Sequence, residues 1–209
     1  MNEQRLMQIS LELKCSMDSS HTARENALTV CRGIIQLSSK TIRALHREDR
    51  STAEWLLNQT ASTVERLKVD LANQPNIYHS GYVHDAQKEY VEASVMFSLV
   101  FCTELQLPGE LFVEPAAYLN GLAEAASEAR RFLLDRLREG DTDRADALLQ
   151  EMDTIYNELI SFDYPDAITG GLRRTTDALR AVLERTRGDL TLTTVQNRLI
   201  HALSENKTY

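Results

Sequence analysis

The chain has 209 residues, 43% hydrophobic and 26% charged, with only 8 glycines and 4 prolines; this describes an ordered, helix-rich protein and excludes a disordered or fibrous one. A formal charge of −8 argues against coating duplex DNA by bulk attraction, while 18 arginines to 5 lysines leave room for local phosphate-binding patches. No apolar run is long enough to span a bilayer and no secretory leader opens the chain, so a cytoplasmic protein without a membrane partner is expected.

Leu6, Ile9, Leu13 and Met17, then Ala27, Cys31, Ile34 or Ile35, Ile42 and Leu45, recur at helical spacing and predict helix from about Asn2 to His46. A capping box at Thr22 and Glu25 leaves open whether this is one helix or two. A second box, Ser51-Thr-Ala-Glu54, opens a helix with Ala53, Leu56 or Leu57, Thr60, Val64, Leu67 and Leu71 inward, ended by Asn73-Gln-Pro-Asn76. The next helix is expected from Tyr78 to Leu105, with a turn at Pro108-Gly109. Pro115 suits the first turn of a helix that reaches Arg138 and is closed by Gly140. Asp141 or Thr142 caps the following one, which turns Ala145, Leu148, Met152, Ile155 and Leu159 inward before the break at Asp163-Tyr-Pro-Asp166. Helices at Leu172–Arg187 and Thr191–Leu203, divided by Gly188, complete an all-α bundle of about seven helices in a single domain, residues 1–209.

Cys15, Cys31 and Cys102 form no CxxC pair and are expected as buried, reduced thiols. The segments Val95–Cys102 and Leu119–Leu137 are apolar on more than one side. That pattern fits either the middle of a bundle or a contact between copies of the chain.

The chemistry centres on Glu89-Tyr90-Val91-Glu92. Two carboxylates three apart on a helix lie about 60° apart around its axis, close enough to share a ligand. Their stripe continues through Val95, Met96 and Leu99, so both acids sit on a core-facing line and need a counter-charge. A metal ion is one candidate. A second pair, Glu124 and Glu128, shares a face with Ala117, Gly121 and Ala125 on the helix after Pro115. Gly121 costs about 1 kcal/mol against alanine inside a helix and implies a packing or access role. Two such helices face to face would gather four carboxylates, a set suited to Mg²⁺ or Mn²⁺; each pair taken alone also fits a solvated face. Lys40, Arg43 and Arg47 could track a phosphate backbone, as could Arg130 and Arg131 or Arg136 and Arg138, though each also suits an ion-paired surface. Arg173, Asp177, Arg180, Glu184 and Arg187 read as a salt-bridged helix face. No Glu-x-x-His, HExxH or phosphate-cradling glycine loop occurs, which argues against a ferritin-like di-iron centre and a zincin.

The stretch Phe162 to Leu190, with Asp163-Tyr-Pro-Asp-Ala-Ile-Thr-Gly-Gly171 at its start, resembles the C-terminal motif of the translin family. Lys40-Thr-Ile-Arg-Ala-Leu-His-Arg47, Lys88-Glu-Tyr-Val-Glu-Ala93 and Tyr118-Leu-Asn-Gly-Leu-Ala-Glu124 are similar to segments of its catalytic branch, translin-associated factor X. The resemblance implies an all-α protomer assembling into a hollow, octamer-like homo-oligomer, with a translin-like partner subunit as a further option. It implies a metal-dependent endoribonuclease for single-stranded RNA, with Glu89, Glu92, Glu124 and Glu128 as catalytic and Mg²⁺- or Mn²⁺-holding positions. Glu124 stands where the branch carries aspartate, a change that lengthens the arm by one methylene. Two alternatives stay open. One is a non-catalytic binder of single-stranded RNA or single-stranded DNA. The other is an all-α nucleoside-triphosphate pyrophosphohydrolase, whose second acidic pair is more often Glu-x-x-Asp.

Overall fold

A computed structural model describes residues 3–205. It contains α1 (Glu3–Leu45), α2 (Arg50–Asp70), α3 (Pro75–Tyr78), α4 (Gly81–Phe101), α5 (Pro115–Glu139), α6 (Thr142–Leu159), α7 (Asp166–Thr169) and α8 (Leu172–Glu205). The all-α reading holds: there is no strand among the described residues, and no helix is long and apolar enough to cross a membrane. Asn2, the expected start of α1, lies outside the described residues.

Helices α4 and α5 form the central pair, with α1 and α2 on the α4 side and α6 and α8 on the α5 side. Val95, Met96, Leu99 and Val100 of α4 are buried, as are Ala125, Ala129, Phe132 and Leu133 of α5. Much of the two segments that are apolar on several sides is thus covered by their own chain, while Phe97, Phe101, Leu119, Leu122, Leu134 and Leu137 stay partly exposed.

One open choice is settled and three local expectations are corrected. α1 is one helix: Thr22 donates to the Asp18 carbonyl from inside it and caps nothing. The cap of α2 is Asp49, whose carboxylate accepts from the Thr52 N–H and from the Ser51 hydroxyl; Ser51 itself is helical. α4 stops at Phe101, short of Leu105, because Cys102 takes a left-handed conformation (φ 52°) and the Ser98 hydroxyl donates to the Glu104 carbonyl. α8 runs through Gly188 without a break, since a glycine there costs only about 1 kcal/mol and burial of Thr186 and Leu190 on either side holds the helix.

One burial expectation also changes. Only Cys31 is buried, its thiol pushed up to about 11 by desolvation; Cys15 and Cys102 are exposed. Leu6, Ile9, Leu13 and Met17, whose helical spacing marks an apolar face, are 43–68% exposed. The reason is length. At about 1.5 Å per residue the 43-residue α1 is twice as long as the 21-residue α2 and α4 against which it packs. Its first half therefore extends past the bundle, as does the end of α8 with Leu192, Val195, Leu199 and Leu203.

Gly121 has the packing role its sequence position implied. A Cβ there would lie 2.6 Å from Val91 Cβ and 2.7 Å from the Lys88 carbonyl oxygen. Backbone cannot yield as a side chain does, so overpacking outweighs the helix-propensity gain, and Gly121→Ala should lose about 1–3 kcal/mol. Gly33→Ala, with open space around its added Cβ, should instead gain up to about 1 kcal/mol. Urea midpoints of the two variants should move in opposite directions.

Candidate metal centre

The close approach at Gly121 fixes what lies beside it. Glu89 and Glu92 stand one turn apart on α4, and Glu124 is three residues along α5 from the contact glycine. One oxygen of each lies within 4.8 Å of the others, and all three residues are partly buried.

Electrostatics make the cluster costly. Burial, then the charges of Glu89, Glu124 and Glu128, push the Glu92 carboxyl up to about 8 against the opposing pull of Lys88. Glu89 is raised by burial and by Glu124, with Asp85 adding and Lys88 opposing. Neither Glu89 nor Glu92 has a hydrogen-bond or ion-pair partner among the described residues. Glu124 does: Lys88 Nζ lies 2.9 Å from its Oε1.

Glu128 was expected in the same shell and is held elsewhere. Four residues advance about 6 Å along a helix, which carries it past the cluster to His46, just beyond α1, whose Nε2 lies 2.6 Å from Glu128 Oε1. The His46 side chain is only 5% exposed. Its Nδ1 is buried without a partner. A carboxylate only accepts, so Nε2 carries the proton of this bond.

The basic residues divide. Lys40, Arg43, Arg47 and Arg131 are exposed, and none of the four forms an ion pair among the described residues. Arg43 donates to the Ser39 carbonyl and hydroxyl one turn back. Arg130 is structural, donating to Thr186 and Asp189 and so tying α5 to α8. Arg136 pairs with Glu48 and Glu139, and Arg138 with Asp135. The expected salt-bridged face of α8 is mostly absent. Arg187 reaches Asp153 on α6 at 2.8 Å and Glu184 at 4.0 Å, while Arg173, Asp177 and Arg180 pair with nothing among the described residues. Their potential partners project from one helix into open solvent, where such pairs are weak.

The start of the C-terminal motif braces α5 from the other side. Asn120, next to Gly121, donates to the Thr169 carbonyl and accepts from the Thr175 hydroxyl, both at 2.7 Å. Gly170 and Gly171 adopt φ of 62° and 84°, which favours glycine. A Cβ on Gly170 would also lie 2.9 Å from the His84 ring. The motif thus fixes the part of α5 that presents Glu124.

No family model matches the chain. It is 30% identical over 178 residues to an uncharacterized protein of Methanocaldococcus jannaschii, an alignment covering 84% of this chain and 78% of that protein. Among solved structures it is similar to AfC3PO, at 34% identity and a TM-score of 0.81 over 88% of this chain and 96% of that one. AfC3PO in complex with duplex RNA matches at 33% identity with the same TM-score and the same coverage. The chain belongs to the translin-like family.

A further translin-like structure, apo-NeC3PO, shares the fold at a TM-score of 0.79 and 20% identity, covering 87% of this chain and 95% of that one. Within the translin-like frame, two residues had no role assigned from the sequence: Lys88, which meets Glu124, and His46, which holds Glu128. The signal for the first was the unmet need for positive charge beside Glu89 and Glu92. For the second there was none, because His46 and Glu128 are 82 residues apart.

Proposed function

We propose that this translin-like protein is a divalent-metal-dependent endoribonuclease, of the catalytic branch typified by translin-associated factor X, working within a hollow homo-oligomer of the octamer kind. The observation that carries the reading is the convergence of Glu89, Glu92 and Glu124, two of them without a hydrogen-bond or ion-pair partner among the described residues. Three carboxylates at this separation suit a hard divalent cation, which binds through oxygen. Glu89, Glu92 and Glu124 would hold Mg²⁺ or Mn²⁺, whose chemistry is to make bound water nucleophilic and to offset charge on the phosphate. Glu128, fixed by the His46 Nε2–H, keeps its second oxygen free to orient a water beside the cluster. Lys40, Arg43, Arg47 and Arg131 offer cations for the RNA backbone, while Arg130 is already committed to α8.

The RNA relationship is supported by AfC3PO, a relative at 33% identity described in complex with duplex RNA. RNA is therefore the proposed substrate class, with cleavage directed at single strands and duplex RNA included among the ligands to be tested. A non-catalytic RNA-binding reading draws on one observation, the Lys88 ammonium that already neutralises Glu124.

Cleavage of a labelled single-stranded oligoribonucleotide separates the two. The wild-type protein should produce metal-dependent fragments, and chelation should end the reaction. Glu89→Ala should bind the RNA and fail to cut it. Full activity in Glu89→Ala, or in excess chelator, would overturn the nuclease reading; RNA binding without metal-dependent products would favour the non-catalytic one.

A further inference from the structure

Among the described residues of α4 and α5, Lys88 is the cation that reaches the acidic cluster. It precedes Glu89 on α4, and its carbonyl lies at the tight α4–α5 contact, where a Cβ on Gly121 would come within 2.7 Å of it. From there the side chain, 20% exposed, crosses to Glu124 Oε1 at 2.9 Å. The ammonium sits in a field of acids. Burial opposes its charge, yet the bond and charge of Glu124, together with Asp85 and Glu89, hold its pKa above the ordinary lysine value. It in turn lowers the cost of ionising Glu89 and Glu92.

Glu124 therefore has two claimants: the Lys88 ammonium, and any divalent ion that uses the cluster. Both prefer the same carboxylate, and a divalent ion carries twice the charge. Lys88 is long, flexible and partly exposed, so it can turn towards solvent when its acid is taken. A free ammonium beside a cation-loaded cluster would be available to pair with the phosphate of a bound nucleic acid.

Resting on the nuclease reading above, we propose that Lys88 is a substrate-contacting residue stored on Glu124: it gives up that carboxylate to the divalent ion and transfers its ammonium to an RNA phosphate oxygen. In the absence of the ion it serves as the internal counter-charge that keeps the cluster tolerable. This assigns one side chain two successive partners of like charge.

The two roles predict effects of opposite sign on removal of the charge. With Lys88→Met, Mn²⁺ measured by calorimetry should bind about tenfold tighter, because no ammonium competes or repels. At saturating Mn²⁺, kcat for a single-stranded oligoribonucleotide should nevertheless fall at least about thirtyfold, the loss of one charged contact to the reacting group. Lys88→Arg should recover most of the cleavage. A structural defect would weaken both binding and cleavage, so tighter Mn²⁺ with slower turnover separates the proposal from misfolding; Lys88→Gln repeats the test with a polar side chain if the methionine variant folds poorly. Unchanged or weaker Mn²⁺ binding, or undiminished cleavage at saturating Mn²⁺, would overturn the proposal. If the wild-type protein cuts no RNA, the nuclease reading fails, and the calorimetry still decides whether Lys88 and the ion compete.

Discussion

Glu92→Gln should raise the melting temperature of the metal-free protein at pH 8 and at the same time reduce RNA cleavage by a factor of about 10² or more. The two effects have one cause. Glu92 is desolvated, faces the charges of Glu89, Glu124 and Glu128, and has no hydrogen-bond or ion-pair partner among the described residues. Its carboxyl is pushed up to about 8, so ionising it in the folded chain opposes folding. Glutamine fills nearly the same volume without charge and removes that cost. It also removes the anionic oxygen that would hold the divalent ion. A variant more stable than wild type yet inactive is a combination that general damage does not produce. Melting scans at pH 6 and pH 8, beside a cleavage assay at saturating Mn²⁺, read both effects. Wild-type activity in Glu92→Gln would remove Glu92 from the proposed centre.

The second large effect is a slope of stability with pH whose sign a divalent ion should weaken or reverse. For a carboxyl whose pKa is raised by folding, the unfolded chain loses its proton first. Between the ordinary carboxylate range near 4.5 and the folded value of about 8, the folded state holds the extra proton. Stability is then greatest below that window and falls as pH rises through it, at up to about 1.4 kcal/mol per pH unit. Glu89 is raised too and acts in the same direction. Asp49 opposes, since its bonds to Thr52 lower its pKa, but its window lies at more acidic pH. Mn²⁺ binds the deprotonated acids, so its stabilisation should grow from pH 6 to pH 8. At a hundredfold excess over Kd it contributes about 2.7 kcal/mol, or roughly 5–10 °C for a chain of this size. Denaturant titrations at four pH values, with Mn²⁺ or with chelator, should give curves that diverge as pH rises. Parallel curves would mean that Glu89 and Glu92 take no part in ion binding.

What was legible in the sequence follows from periodicity and local chemistry. Ala145, Leu148, Met152, Ile155 and Leu159 line one face of α6 and are all buried; the stripe and the burial are the same fact, because an apolar face has one low-energy place to go. Pro115 opens α5, and Gly140 closes it in a left-handed conformation at φ 85°, since both residues act through their own backbone. Helix continuity was harder. Gly188 costs less than the contacts around it supply, and Thr22 could cap a helix or sit inside one, so context decided both.

The centre itself was determined half by sequence and half by folding. That Glu89 and Glu92 share a face is helical geometry and needs nothing else. Their meeting with Glu124, and not with Glu128, required the α4–α5 contact that Gly121 allows. Lys88 adjoins Glu89 in sequence, yet its direction towards α5 was set by which helix packed there. The ends of α1 and α8 show the same division: Leu6 and Leu199 carry helical periodicity, but whether such a stripe is covered depends on the length of its neighbours. Local residues dictate which groups line up along a helix because the helical repeat is fixed. Which helices face one another, and so which charges meet, is decided only by tertiary packing, because that depends on contacts between parts of the chain far apart in sequence.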